Sequence, residues 1–305
     1  MTGHLPALLD ETLDALAPRA GGCYVDGTLG LGGHTRALLE RIGPDGQVIG
    51  LDRDAEMLER ARGQLAEFGP RFRGVHARLS ALGDVVRGAG ADPVDGILLD
   101  LGLCSAQLDD PERGLSFAER ARDHLLDMRM DRSRGETAAQ LLSRLGEEEL
   151  QAALREGDVP APRRVARALH EHRPVRTVGD LLDALGSVKL PRRRHHPATL
   201  VFQALRMAVN DEAQELDSAL ESGVELLASG GRLAVISYHS GEDRRVKNFM
   251  AREVRGCICP PALPACGCGR VPRLRHVVRG QGASDAEIRR NPRARSARLR
   301  AGERL

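Results

Sequence analysis

The chain has 305 residues, a formal net charge of +2 and 41% hydrophobic residues, enough apolar material for a packed core, so wholesale disorder is excluded. Aromatic residues are 2% of the chain and Trp is absent, which excludes base stacking as a dominant mode of binding. No stretch approaches the roughly 18 apolar residues of a membrane span and no secretory leader pattern opens the chain, so the expectation is a cytoplasmic protein with no membrane partner.

The opening His4–Leu13 segment carries apolar residues at Leu5, Leu8, Leu9, Leu13 and Leu16, the stripe of a helix that packs against the domain that follows. An apolar run, Cys23-Tyr24-Val25, then leads into Asp26-Gly27-Thr28-Leu29-Gly30-Leu31-Gly32-Gly33-His34, and a helical pattern from Thr35 to Arg41 leads out. Strand, glycine-rich turn and helix in that order form a nucleotide-cofactor loop. Glycines let the backbone approach a ligand, and the helix N-terminus turns N–H groups toward it. After the turn Gly43-Pro44-Asp45-Gly46, a second buried strand, Gln47 to Leu51, ends on Asp52. An acid about 20 residues past such a loop is where these folds bind ribose hydroxyls. The loop reads Gly30-Leu31-Gly32-Gly33-His34-Thr35, so the third glycine of the dinucleotide fingerprint is missing. That glycine serves close helix packing beneath a pyrophosphate, so a ligand with ribose and adenine but no phosphate, S-adenosylmethionine, fits better. The alternative is a purely structural glycine turn, against which the strand, the helix and Asp52 all argue.

Ala55 to Phe68 reads as a helix and Phe72 to His76 as a third strand, followed by Leu79 in a turn suited to face an adenine ring. Helix Ala81 to Gly88 leads to Val94–Gly102, whose continuous apolar centre is a buried parallel strand with Asp100 at its carboxyl end. From about residue 105 to 197 the strand–helix alternation stops. Ala138–Leu145, Glu147–Arg155, Pro162–His172 and Val178–Leu185 are predicted helices, with breaks at Arg134-Gly135 and Pro160–Pro162. The α/β pattern then returns with a long helix presenting Leu216, Leu220, Val224 and Leu227, ended by Gly230-Gly231, and a buried strand from Arg232 to Ser237. There are no internal repeats. The predicted architecture is an α/β Rossmann-like sheet interrupted by an all-helical insertion. Residues 1–104 form the first part, 105–197 the insertion, and 198–305 the second part with a basic C-terminal tail.

Between Arg270 and Leu305 there are 11 Arg and three acids, a net +8, which leaves −6 on the first 269 residues. A second basic run is Lys189–His196. Arginine-rich segments beside a cofactor fold favour a phosphate-bearing partner, RNA, over a solvated tail. Four of the six cysteines cluster as Cys257-x-Cys259 and Cys266-x-Cys268, with Pro260–Pro264 as the turn between the pairs. In a cytosolic protein such a cluster favours metal over disulfide, and four thiolates suit tetrahedral structural zinc, free thiols being the alternative. Cys104, just beyond Asp100, could attack C6 of a pyrimidine; a small packing thiol is the simpler reading.

Taken together these segments carry a resemblance. The chain is similar to the RsmH (MraW) family of small-subunit rRNA methyltransferases. The match runs nearly end to end, through His4–Leu13, Asp26–His34, Leu51–Asp54, Asp95–Gly102, Gln107–Asp109, Arg113–Phe117 and Leu126–Asp131. It continues through His196–Thr199, Phe202–Arg206, Ser237–Ser240 with Glu242–Arg244, and Asn291–Ser296. The family implies a class I methyltransferase sheet interrupted by a helical, substrate-recognition domain. It also implies methylation of the N4 amine of a cytidine in the decoding centre of 16S rRNA, within the 30S subunit. Carried across position by position, its cofactor residues would be Gly32, Gly33, His34, Asp52, Leu79, Asp100 and Gln107. The oligomeric state stays open, a dimer being one option. The chain departs from the family at Cys104-Ser105, where the pattern has Ser-Ser, at Glu156–Val159 in the helical domain, and at Ser240–Asp243, where Gly241 adds flexibility.

A cytosine N4 amine is a poor nucleophile, so catalysis needs in-line placement and acceptors for the amine hydrogens rather than a covalent nucleophile. Asp100 is the first candidate, for orienting the amine or the methionine end of the cofactor. His239 is a weaker one, with Asp127, Asp131 and Asp243 behind it; for each the alternative is an ordinary cap, turn or ion-pair residue.

Overall fold

A computed structural model of the protein describes residues 5–189, 197–260 and 265–305. Most of the basic run at 189–196, the first residues of the opening segment and most of the Pro260–Pro264 turn lie outside the described residues. The described chain divides into two compact units, one of residues 1–102 and 214–305, the other of residues 103–213.

The first unit begins with α1 (Leu9–Leu16), β1 (Cys23–Asp26), α2 (Gly33–Ile42), β2 (Gln47–Asp52), α3 (Ala55–Gln64), β3 (Phe72–His76), α4 (Leu82–Gly88) and β4 (Val94–Asp100). Helix α1 starts later than its apolar stripe suggests because Leu8 takes a left-handed conformation, φ 54°. The second unit holds α5 (Ser105–Asp109), α6 (Ala138–Arg144), α7 (Glu147–Glu156), α8 (Pro162–Glu171), α9 (Val178–Gly186) and α10 (Pro197–Asn210). The first unit resumes with α11 (Glu212–Leu226), β5 (Leu227–Ser237), α12 (Ser240–Arg255), β6 (Leu274–Gly282), α13 (Asp285–Arg290) and β7 (Arg298–Arg304).

Among the described residues its seven strands form one sheet in the order β3-β2-β1-β4-β5-β7-β6, in which β7 runs antiparallel to both neighbours and the other pairings are parallel. That is the class I, Rossmann-like methyltransferase sheet. Side chains alternate across it, as the two-residue strand repeat requires. Tyr24, Val48, Leu98 and Ala234 face one buried cluster with α1 and α2, whereas Val25, Ile49, Ile97, Leu99 and Val235 face another with α4, α11 and α12. Strand order reverses at β1, which lies between β2 and β4, and that reversal is where open parallel sheets bind ligands.

The helical unit has its own core, built from Leu141, Leu150, Leu154, Val165, Leu169 and Leu181 among others. Helix α10 supplies Val201, Phe202 and Leu205 to that core, and Asn210 at its end donates to the Met128 carbonyl at 2.8 Å and accepts from the Met130 N–H at 2.9 Å. The unit therefore runs past residue 197, the boundary suggested by sequence.

Two readings of the C-terminal third are corrected by the structure. Gly230-Gly231 does not end a helix; α11 stops at Leu226 and β5 continues through Gly230 at φ 79°, where the pairing with β4 shifts register. The Arg-rich end is not a tail, since it supplies β6, α13 and β7. Leu299 and Ala301 are fully buried on β7, and several of the arginines of this region are ion-paired. Arg300 is 9% exposed and forks onto Asp243 at 2.8 and 2.9 Å. Arg273 pairs with Glu253 and Glu221, and Arg275 and Arg232 with Glu303. Arg279, Arg289, Arg290 and Arg295 remain as exposed cations. Among the described residues no helix is long and apolar enough to cross a membrane.

Candidate active site at the carboxyl edge of the sheet

Three adjacent parallel strands, β2, β1 and β4, each end on an aspartate: Asp52, Asp26 and Asp100. Register sets them out. Asp26 lies opposite Gly50 on one side and Leu98 on the other, so Asp52 and Asp100 both project two residues beyond it. Burial pushes the Asp26 carboxyl up to about 6 and those of Asp52 and Asp100 up to about 7. Among the described residues no Arg or Lys pairs with any of the three.

Asp26 is consumed locally: it accepts from the Thr28 N–H at 3.2 Å and the Thr35 hydroxyl at 2.7 Å, joining the two ends of the loop. Asp52 accepts from the Gly30 N–H at 2.8 Å and from the Asp54 N–H at 2.8 Å, fixing the loop against the end of β2. Gly30 and Gly32 sit at φ 52° and 80°, a left-handed path that explains the glycines. Gly27 is required for a different reason: a Cβ there would lie 2.6 Å from Leu99 Cδ2 and 2.9 Å from Leu79 Cδ1. Leu79 thus lies against the loop, in a short turn of 3-10 helix. The first turn of α2 follows, with its backbone N–H groups directed toward this edge.

Asp100 is held on two sides. Its N–H donates to the Thr28 hydroxyl, at 2.5 Å, and its Oδ1 accepts from the Tyr238 hydroxyl at 2.8 Å. His34 Nδ1 is 3.6 Å from Asp100 Oδ2, while His34 Nε2 bonds to the Ala7 carbonyl at 3.1 Å. Leu8, beside Ala7, is clipped in turn by Glu287 of α13, which accepts its N–H at 2.6 Å. The structure therefore brings Gly32, Gly33, His34, Asp52, Leu79 and Asp100 to one edge of the first unit.

Gln107 belongs to the second unit. It is buried and its Oε1 accepts the Cys104 N–H at 3.1 Å, across the first turn of α5, which Cys104 caps. In the same unit Asp127 is forked by Arg129 and Asp131 pairs with Arg134, while in the first unit Asp243 is taken by Arg300. His239 is the N-cap of α12: its Nδ1 accepts the Glu242 N–H at 3.4 Å and its Nε2 lies 3.1 Å from Glu242 Oε1. Glu242 Oε2 reciprocates by accepting the Tyr238 N–H at 2.9 Å. Cys257, Cys259, Cys266 and Cys268 lie together, with one sulfur of each within 4.8 Å of the others.

Three contributors were not singled out from sequence: Asp26, Thr28 and Tyr238. An aspartate at the end of three of the first four strands was available as a signal for the first. Nothing local marks Tyr238, whose partner is 138 residues away.

The whole chain, residues 1–305, matches the model of the MraW methylase family. It is 49% identical over 311 aligned residues to a protein of Geobacter sulfurreducens named ribosomal RNA small subunit methyltransferase H, covering 99% of both chains. Its identity to the protein of that name from Citrifermentans bemidjiense is 47%, over 99% of this chain and 98% of that one. Symbiobacterium thermophilum has another at 45%, over 98% and 95%. With this edge, this sheet and a match from first residue to last, the chain belongs to the MraW methylase family.

Proposed function

We propose that the protein transfers a methyl group from S-adenosylmethionine to the N4 amine of a cytidine in the decoding centre of small-subunit (16S) rRNA, with the 30S subunit as its cytoplasmic partner. The observation that carries the choice of cofactor is the row of three buried carboxylates with no Arg or Lys partner among the described residues. Burial without a counter-charge disfavours their ionised form, so a cationic ligand is favoured there and a pyrophosphate is repelled. S-adenosylmethionine supplies, when bound, a methyl group made electrophilic by its sulfonium.

The residues present fit that ligand. Asp52 would hold the ribose hydroxyls, Leu79 the adenine face, and the N–H groups at Gly32, Gly33 and His34 the methionine carboxylate. Asp100 would orient the methionine ammonium or the incoming amine; Gln107, in the second unit, is a cofactor residue by the family pattern alone. The N4 lone pair is delocalised into the ring, so the chain's task is to place the amine in line and to accept its hydrogen bonds as its geometry changes. Tyr238 and Thr28 position Asp100 for this, and His239 acts indirectly by fixing Glu242 and the start of α12. A base within folded RNA must be splayed out to reach the edge. The helical unit and the exposed arginines Arg279, Arg289, Arg290 and Arg295 are the surfaces assigned to RNA. The names of the relatives supply the rRNA; the cytidine N4 comes from the family resemblance.

Labelled S-adenosylmethionine incubated with small subunits lacking the modification tests this. Wild-type protein should label the RNA, and Asp100→Ala should bind it and transfer nothing. Tight RNA binding by wild-type protein with no transfer would leave a binding factor instead of an enzyme.

A further inference from the structure

Helix α12 ends at Gly256, and β6 begins at Leu274. The loop between them is closed at its base. A Cβ on Gly256 would lie 2.4 Å from the Pro272 nitrogen, and the Arg273 N–H donates to the Glu253 carbonyl at 2.9 Å. Beyond that base the described residues of the loop form no apolar core. Ile258 is 48% exposed, Val271 is 71% exposed, and none of the described apolar side chains from 257 to 272 is buried. A loop of this length whose described residues have neither helix, strand nor apolar interior needs another source of order.

The interior it does have is sulfur. Cys257 and Cys266 are 3.4 Å apart at Sγ, Cys266 and Cys268 3.5 Å, Cys257 and Cys268 3.8 Å, and Cys259 and Cys266 4.0 Å. All are far longer than a disulfide bond of about 2.05 Å. Four thiolates around tetrahedral zinc, at about 2.3 Å each, stand about 3.8 Å from one another. Backbone N–H groups also point at the sulfurs, those of Ile258 and Arg270 at Cys268 and that of Cys259 at Cys257. Such donors stabilise thiolate ligands from the outer shell. The Arg255 guanidinium, bonded to the Cys257 carbonyl at 2.7 Å, adds positive charge beside a site whose four thiolates outweigh the metal.

We propose that Cys257, Cys259, Cys266 and Cys268 bind one zinc ion, which folds the loop between α12 and β6 and takes no part in methyl transfer. Binding would convert each remaining thiol to thiolate with release of its proton, and the ion stays divalent throughout. The C-x-C pairs suffice because the second pair approaches the first from across the loop.

The test is metal analysis of the full-length protein purified without chelator or immobilised metal. Wild-type protein and Cys104→Ser should carry about one zinc per chain, and Cys257→Ser and Cys266→Ser close to none. Cobalt exchanged into the wild-type protein should give the intense visible bands and thiolate charge transfer of a tetrahedral four-sulfur site, a readout that survives if a variant fails to fold. The proposal is overturned if reduced wild-type protein takes up neither metal, if zinc persists in both Cys→Ser variants, or if the four cysteines are isolated as disulfides.

Discussion

The Tyr238 hydroxyl donates to Asp100 Oδ1 at 2.8 Å, joining the residue just past β5 to the last residue of β4. It is a charge-assisted bond in a desolvated place, and it opposes the effect of burial on the Asp100 carboxyl. Burial and the Asp100 charge together push the Tyr238 phenol well above its ordinary range, so it stays a donor at every working pH.

Tyr238→Phe should therefore raise the Asp100 carboxyl further, moving the acidic limb of the pH–rate profile to higher pH. A lost bond to a charged group costs about 1.5–3 kcal/mol, or about 10- to 100-fold in rate near neutrality. Raising the pH should recover part of that loss. A pH-independent loss would mean that Tyr238 acts only in packing.

Asp52→Asn keeps an acceptor for Gly30 but removes the charge. Cofactor affinity measured by calorimetry should fall about 10- to 100-fold, with thermal stability of the unliganded protein unchanged or raised, since a buried charge has been removed. Unchanged affinity would remove Asp52 from the cofactor site.

The strand-end acids also set a pH dependence. Folded Asp26, Asp52 and Asp100 hold their protons to about 6, 7 and 7, whereas the unfolded chain releases them near 3.8. Between those values the native state binds more protons, so their contribution to stability is full below the unfolded value and is lost as pH rises through the folded one. Without ligand, the melting temperature of wild-type protein should fall relative to that of Asp100→Asn between about pH 4 and about pH 7. S-adenosylmethionine affinity should rise over the same interval with proton release, seen as a dependence of the calorimetric enthalpy on buffer.

Arg300 and Asp243 tie β7 to α12 in a partly buried fork. Removing Asp243 leaves the Arg300 guanidinium without its carboxylate and costs about 1.5–3 kcal/mol, less than a fully buried pair would. Asp243→Ala should lower the melting temperature by several degrees at any salt concentration. Deleting residues 270–305 should give insoluble protein, because β5 would lose its antiparallel neighbour and stand as a bare sheet edge. A soluble, active truncation would restore the view of a solvated tail.

The carboxyl edge was legible in the sequence because buried parallel strands are written as unbroken apolar runs, so an acid at the end of one stands out. Asp52 and Asp100 were both found that way, and the glycines of the loop by their place between a strand and a helix. Strand β7 was not legible: Arg298, Arg300 and Arg304 mask its alternation, and the acids that neutralise Arg300 and Arg273 lie on α11 and α12, remote in sequence. Helix α10 was misplaced for a related reason, since its apolar face could pack against either a sheet or other helices. Asp127, Asp131 and Asp243 looked like site residues because an ion-paired acid and a functional one are spelled alike.

Nucleoside mass spectrometry of small-subunit rRNA, digested after incubation with the protein and S-adenosylmethionine, tests the central claim most directly. The account predicts N4-methylcytidine, formed by wild-type protein and absent with Asp100→Ala. A methyl at C5 of the cytosine would contradict it and would make Cys104 the nucleophile in place of a helix cap.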